Sequence, residues 1–167
     1  GPGQGVGKLL SAEDLKNLQD FTQGLVLKGI LPELERKMFE LNSQVTQARK
    51  GLKNAFKSWW RKPKETIDKT PTGLLYPITS IESTIRLLAD YVFMVQDYDT
   101  ALGLYRMVKD DFKSDKSWKH YSGAAEMVGL CLFLTGGSAR DAELHLEAAM
   151  EWHIHAATKD DGGYGSP

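Results

Sequence analysis

Four histidines are the first residues whose chemistry could matter, because imidazole is a common ligand of transition metals. His153 and His155 are two residues apart, so they point in different directions on a helix. His145 precedes His153 by eight residues without a cysteine nearby, and His120 is isolated. A zinc site needs three or four converging ligands. The spacing therefore favours structural or solvent-facing histidines and predicts no metal or other cofactor.

Other groups with potential chemistry also lack a supporting motif. The Gly136-Gly137-Ser138 run could offer backbone amides to a phosphate, but no strand precedes it and no lysine–serine pair follows. The acid pairs at 110–111 and 160–161 are typical of solvated loops and helix ends. The only cysteine, Cys131, lies among apolar residues and is expected to be buried and inert. The sequence predicts a protein that is not an enzyme.

Charge is concentrated in one short segment. Residues 49–64 contain seven basic residues and no acid, whereas the whole chain has a net charge of −1, so the remainder carries −8. On a helical projection, residues 52, 55, 56, 59 and 60 form one apolar face, and residues 49, 53, 57 and 61 form a basic stripe beside it. Adjacent tryptophans with lysines are typical of helices that lie in a bilayer interface.

Three interpretations of this basic aromatic segment remain open. It is a helix on an anionic membrane surface, or a structural helix end whose tryptophans pack on a neighbour, or an arm that binds nucleic acid or an acidic protein. The residues of the membrane hypothesis are Leu52, Lys53, Phe56, Lys57, Trp59, Trp60 and Arg61.

Helical periodicity dominates the elements around that segment. Ser11 and Asp14 form a predicted capping box, Gly29 is a predicted helix end, and Pro32 suits the first turn of a second helix. From Leu34 to Trp59 apolar residues recur every 3.5 residues on average. We expect residues 11–62 to form a helical hairpin whose end is basic and aromatic.

The remaining boundaries follow from prolines, glycines and capping residues. Residues 1–10, which begin with an apparent protease remnant, and residues 159–167 are expected to be flexible, and residues 63–78 form a proline-containing linker. Thr79 with Glu82 predicts a second capping box, and Asp115 is a predicted N-cap. Residues 79–158 are expected to form helix pairs. The predicted class is all-α, with antiparallel helical hairpins in a tetratricopeptide-like α-solenoid fragment.

Small and aromatic residues in the first of these pairs have the spacing of a tetratricopeptide repeat. Small residues allow two helices to approach closely, and tyrosines fill the wedge between them. The predicted packing residues are Leu88, Ala89, Val92, Tyr98, Ala101 and Tyr105. In the looser second pair, residues 123–125 offer a predicted close crossing. An ordinary antiparallel bundle is the alternative, because stacking needs about three repeats.

Several unrelated short stretches, in order along the chain, carry a family resemblance. They are residues 49–52, 73–77, 86–94, 109–112 and 122–127, which read RKGL, GLLYP, RLLADYVFM, KDDF and SGAAEM. Together they resemble the middle region of the eighth-subunit family of TRAPP (transport protein particle) complexes, the subunit that distinguishes the TRAPP III assembly.

The resemblance implies a scaffold segment of a vesicle-tethering complex. Such a complex activates a Rab-family GTPase by nucleotide exchange, in transport from the endoplasmic reticulum to the Golgi and in autophagy, and its small core subunits hold the exchange site. The implied partners are other TRAPP subunits, an anionic membrane surface and, indirectly, a Rab GTPase, with no nucleic acid expected. The implied location is cytoplasmic, peripheral at Golgi, ER-Golgi and pre-autophagosomal membranes. The alternative is a generic helical adaptor with a basic aromatic arm.

Overall fold

A computed structural model describes residues 10–54, 68–70 and 73–160, and most of these residues are helical. The chain divides into two units, Gly1–Phe39 and Glu40–Pro167. The predicted all-α class is confirmed. Of the predicted flexible ends, residues 1–10 and 159–167, the parts 1–9 and 161–167 lie outside the described residues, and residues 159 and 160 are helical and not part of a flexible tail.

Helix α1, Ala12–Leu25, begins at the predicted capping box. The backbone N–H of Ser11 donates to Asp14 Oδ2 at 2.9 Å, and the N–H of Asp14 donates to Ser11 Oγ at 3.1 Å. Together the two bonds satisfy two donors that a helix start leaves free. The sequence was therefore sufficient to locate this helix start.

The helix end predicted at Gly29 is wrong. A π-helical turn, Val26–Ile30, joins α1 to α2, Leu31–Asn54, and the N–H of Leu31 donates to the carbonyl of Val26, five residues back. Pro32 has no N–H, and its ring crowds the carbonyl four residues earlier, so a widened turn accommodates it without a break. A hairpin would need a reversal between α1 and α2, and the helical backbone instead continues.

Helix α2 shows the predicted period of 3.5 in its burial. Val45 is buried, and Leu34, Met38, Leu41 and Ala48 are half-buried, whereas most of the intervening side chains are exposed. The backbone stays helical through Gly51 to Asn54. Within the predicted linker, strands β1, Asp68–Thr70, and β2, Gly73–Leu75, pair antiparallel, with Asp68 opposite Leu75.

Four helices follow: α3, Ile81–Met94; α4, Tyr98–Ser114; α5, Trp118–Leu134; and α6, Ala139–Asp160. Each packs chiefly on its neighbour in sequence, and connections of three or four residues make successive helices antiparallel. This nearest-neighbour stacking is typical of helical solenoids. The largest fully buried side chains in the described part of the chain are Tyr105, Ile85, Val108, Val128, Cys131 and Ser122.

The three turns between these helices share one geometry. Gln96, Lys116 and Gly136 have positive φ angles of 67°, 59° and 69°. The next residue in each turn donates its N–H to the carbonyl of Val92, Phe112 or Leu132, at 3.2, 2.9 and 2.9 Å. These are Schellman motifs, which satisfy carbonyls at a helix end. These turns recur every twenty residues. Because their backbone geometry is the same, each turn reverses the chain direction in the same way before the next helix begins.

Two predicted caps are displaced. Helix α3 is capped by Ser80, whose Oγ accepts the N–H of Ser83 at 3.1 Å, and not by Thr79. Asp115 is the C-cap of α4, and the N-cap of α5 is Ser117. The reason is the Schellman turn, which places one left-handed residue, Lys116, between the two helices and so moves the cap by two positions.

Candidate interaction surface

The predicted membrane-binding residues fall at the edge of the described structure. Leu52 and Lys53 belong to the last turn of α2, where the backbone is helical. Phe56, Lys57, Trp59, Trp60 and Arg61, and the side chains of Leu52 and Lys53, lie outside the described residues. The membrane hypothesis is therefore taken up below as a proposal.

The predicted repeat-packing residues are brought together by α3 and α4. Leu88, Ala89, Ala101 and Tyr105 are at most 3% exposed, and Val92 is also buried. The sixth, Tyr98, is half-buried, and its ring centroid lies 5.2 Å from that of Phe93.

A polar cluster crosses the same helix pair. The buried Tyr105 hydroxyl donates to Asp90 Oδ1 at 2.7 Å, and Arg86 Nε donates to the same oxygen at 3.0 Å. The Arg86 guanidinium also lies 5.2 Å from the centre of the Tyr105 ring. Burial, and then the Asp90 carboxylate, raise the pKa of Tyr105. The Tyr105 hydroxyl is thus a hydrogen-bond donor that links α4 to α3. The spacing of small residues in the sequence did not predict this polar contact.

A close crossing of α5 and α6 lies at Gly129 and not at Gly123, while Ala124 and Ala125 of the predicted 123–125 cluster are fully buried. A Cβ at Gly129 would lie 2.7 Å from Leu146 Cγ and 3.0 Å from the Ala142 carbonyl oxygen, whereas one at Gly123 would meet only the Arg86 side chain at 3.7 Å. At the other end of the two helices, Trp118 and Trp152 stack with centroids 4.2 Å apart. These contacts define the layer formed by α5 and α6.

The segment before α3 is held against the turn between α4 and α5. The Tyr76 hydroxyl donates to Asp115 Oδ2 at 3.1 Å, and its ring lies 5.0 Å from the rings of Phe112 and His120. Burial, and then Asp115, raise the pKa of Tyr76, and burial lowers the pKa of His120. Ser117 Oγ lies 2.9 Å from His120 Nδ1. These contacts hold the segment before α3 against the turn between α4 and α5.

The remaining residues with potential chemistry lie apart from one another. His145 is half-buried on α6, where burial lowers its pKa, and His153 Nε2 is 3.6 Å from Glu126 on α5. Cys131 is buried, which raises the pKa of its thiol to about 11. Among the described residues, no three histidine, cysteine, aspartate or glutamate side chains are arranged to hold a metal ion. The described helices also include none that is long and apolar enough to cross a bilayer.

The outer face of α6 is exposed and combines acids with apolar side chains. Ala142 and Ala149 are buried, and they mark the inner face of this helix. On the opposite face Glu143, Glu147 and Glu151 form an exposed row at intervals of four residues. Leu144, Met150 and Ile154 flank that row and are 54%, 60% and 64% exposed. We call these six residues the α6 outer face.

The fold and its surfaces define a helical-repeat protein of the tetratricopeptide-like solenoid class. A family model described as the ER-Golgi trafficking TRAPP I complex 85 kDa subunit, TRAPPC-Trs85, matches residues 3–158. The chain belongs to this family, and the resemblance found in its short motifs is confirmed.

Curated relatives agree with the family match. The chain is 35% identical over 148 residues to human trafficking protein particle complex subunit 8, covering 83% of this chain and 10% of the relative. It is 26% identical over 133 residues to fission yeast transport protein particle subunit trs85-1, covering 75% of this chain and 20% of the relative. The chain thus spans a tenth to a fifth of these relatives. No solved structure matches it significantly.

Proposed function

We propose that this chain is a non-catalytic scaffold segment of a TRAPP III-like tethering subunit. In this proposal it supports Rab GTPase activation, in ER-to-Golgi transport and autophagy, by holding other TRAPP subunits and by helping to recruit the complex to membranes. The observation that carries the proposal is the family match over residues 3–158 of a chain whose folded part is a helical stack. Stacks of this kind present extended surfaces to partners.

The absence of a catalytic role is part of the proposal. Reaction sites depend on titratable groups gathered in a cleft with perturbed pKa values. In the described residues the groups with the largest pKa shifts, Tyr76, Tyr105 and Cys131, are held in packing contacts or apolar surroundings. We therefore place the exchange chemistry in other subunits of the complex.

Co-purification and nucleotide exchange test this proposal together. The chain should co-purify with the other TRAPP subunits, and alone it should not accelerate release of a fluorescent guanine nucleotide from any Rab. A complex that contains the subunit should accelerate that release. Failure to bind any TRAPP subunit, or robust exchange by the isolated chain, would contradict the proposal.

We assign membrane recruitment to residues 49–62 because a helical projection of the sequence places an aromatic face beside a basic stripe. Each basic residue near an anionic surface contributes about 1 kcal/mol. Trp59→Ala with Trp60→Ala should remove the salt-resistant part of binding to phosphatidylserine-containing liposomes. Lys53→Glu with Lys57→Glu should instead remove the preference for anionic lipid. Loss of thermal stability in the tryptophan variant, without liposome binding by the unmodified chain, would show that these rings pack in the core.

The same liposome experiment separates the membrane proposal from a nucleic-acid-binding arm. Nucleic-acid affinity falls linearly on a log–log plot against salt, because binding releases counterions. Insertion of apolar side chains leaves a remainder that salt does not remove. Tight, steeply salt-dependent binding to RNA or DNA with no binding to liposomes would favour the adaptor alternative.

A further inference from the structure

We propose that exposed lysines around the turn between α4 and α5 form a second contact with an anionic membrane surface. This inference rests on the proposed membrane recruitment by residues 49–62, and it adds a place on the folded stack that meets the same bilayer. Lys113, Lys116 and Lys119 are all exposed. Asp115 is the only acid between positions 112 and 125 of the sequence. The turn is therefore a basic patch.

This turn differs in charge from the other two turns of the stack. Residues 95–103, around the turn between α3 and α4, contain two acids and no base. Residues 134–141, around the turn between α5 and α6, contain one base and one acid. The α6 outer face carries three glutamates, which an anionic surface repels. Of the three turns, the α4–α5 turn is the one whose charge suits anionic lipid.

Tyr76 places the β1–β2 hairpin beside this basic turn. Tyr76 follows β2 directly, its hydroxyl donates to Asp115, and its ring packs against the ring of Phe112. Asp68 of β1 lies opposite Leu75 of β2, so the start of the hairpin is close to the same anchor. The chain that leads from the basic aromatic segment into the hairpin therefore arrives at the α4–α5 turn.

The connection between the two basic regions is short. Arg61 precedes Asp68 by seven residues. Because an extended chain spans at most about 3.6 Å per residue, these two positions can lie no more than about 25 Å apart. A bilayer that holds residues 49–62 is thus within reach of the lysines at the turn. Those lysines attract anionic headgroups once they lie within a Debye length, about 8 Å at physiological salt.

The tryptophans of the neighbouring segment favour a bilayer over other anionic partners. Adjacent indole rings with lysines are typical of helices in a membrane interface. Since the hairpin ties the α4–α5 turn to that segment, lipid headgroups are the anions that the turn meets when the segment binds. Lysines clustered near such a surface add to the affinity for it.

Lysine footprinting on the full-length subunit tests the inference. An acetylating N-hydroxysuccinimide ester labels exposed amines. Lys113, Lys116 and Lys119 should label severalfold more slowly with phosphatidylserine-containing liposomes than with phosphatidylcholine liposomes, and they should label readily without liposomes. Equal labelling with both lipids would overturn the inference. Slow labelling without liposomes would overturn it too, because protein would then cover the turn.

Charge reversal at the turn provides a second test. Lys116→Glu with Lys119→Glu should weaken binding of the full-length subunit to phosphatidylserine-containing liposomes by about tenfold or more, and glutamine at both positions should weaken it less. Arg106→Glu with Arg140→Glu is the matched control. It makes the same change in net charge at exposed positions away from the turn, so it should leave binding unchanged.

The outcomes separate this inference from the proposed recruitment. If the subunit binds these liposomes and the lysine variant binds as tightly as the arginine control, residues 49–62 keep their role and the second contact is refuted. If the unmodified subunit binds no liposomes, both are refuted, and RNA binding that the lysine variant weakens would assign the turn to nucleic acid. The variant should keep the circular dichroism spectrum and melting temperature of the original subunit, since the changed side chains are exposed.

Discussion

At the scale of single residues, Gly129 shows where close packing limits substitution. The backbone of α6 approaches so near that the carbonyl oxygen of Ala142 would lie 3.0 Å from a Cβ at this position. Leu146 Cγ would be nearer still, at 2.7 Å. The Leu146 side chain can change its conformation to make room, whereas the Ala142 carbonyl is held in the helical backbone. The identity of this glycine is therefore fixed by the neighbouring helix and not by its own backbone angles.

Gly129→Ala should destabilise the chain by about 1–3 kcal/mol, because the added methyl group overpacks the crossing. Gly103→Ala is the matched control, since it is also inside a helix but has nothing within 4 Å of a Cβ. That change should stabilise by up to about 1 kcal/mol, from helix propensity alone. Urea unfolding of both variants measures the difference, and equal midpoints would contradict this account of the α5–α6 contact.

Two histidines give a second prediction at this scale. Burial lowers the pKa of His120 and of His145 below the usual 6.5, and nearby cations act in the same direction. The unfolded chain therefore binds these protons at a higher pH than the folded chain does, so stability falls as the pH drops below about 6.5. The melting temperature should decrease as the pH is lowered from 7 to 5. His120→Gln with His145→Gln should flatten that dependence, and an unchanged slope would refute the assignment.

At the scale of elements, the recurring Schellman turn organises the stack. Glycine occupies the left-handed position in one turn, and Gln96 and Lys116 occupy it in the other two. A side chain with positive φ is strained by about 1–2 kcal/mol. The turns persist because the carbonyls of Val92, Phe112 and Leu132 are satisfied and their side chains are buried.

Substitutions in these turns should change stability in opposite directions. Lys116→Gly should gain about 0.5–1 kcal/mol, since glycine removes strain but loses more entropy on folding. Gly136→Ala should lose about 1 kcal/mol for the converse reason. Lys119→Gly, within α5, is the control and should also lose about 1 kcal/mol. Thermal unfolding measures all three, and a destabilised Lys116→Gly variant would contradict the turn geometry.

At the scale of the whole molecule, most of the described core belongs to α3–α6. Apart from Val45 of α2, every buried residue described lies between positions 84 and 149. No residue of α1 is buried, although its pattern is amphipathic. Since each of the last four helices buries its apolar side chains against its neighbours, this stack has the contacts that an independent folding unit needs.

A fragment of residues 73–167 should therefore fold by itself. We expect a helical circular dichroism spectrum and a cooperative thermal transition, because the contacts of Tyr76 and of α3–α6 are all retained. The matched comparison is a fragment of residues 1–48, which contains one buried residue in the described range and should melt without a sharp transition. A non-cooperative melt of the longer fragment would show that its core depends on the residues removed.

The sequence by itself determined the all-α class, the capping box at Ser11, the helix pair around Ala89 and Ala101, and the family. Periodicity, capping and small-residue spacing depend on residues close together in the sequence. They can therefore be recognised without knowledge of the fold. Only the tertiary structure decided that α1 continues into α2, that Gly129 is the close crossing, and that Tyr76 binds the distant Asp115. The last two depend on a segment distant in sequence that the fold brings near, whereas the continuation of α1 into α2 depends on a local π-helical turn that periodicity and glycine position do not reveal.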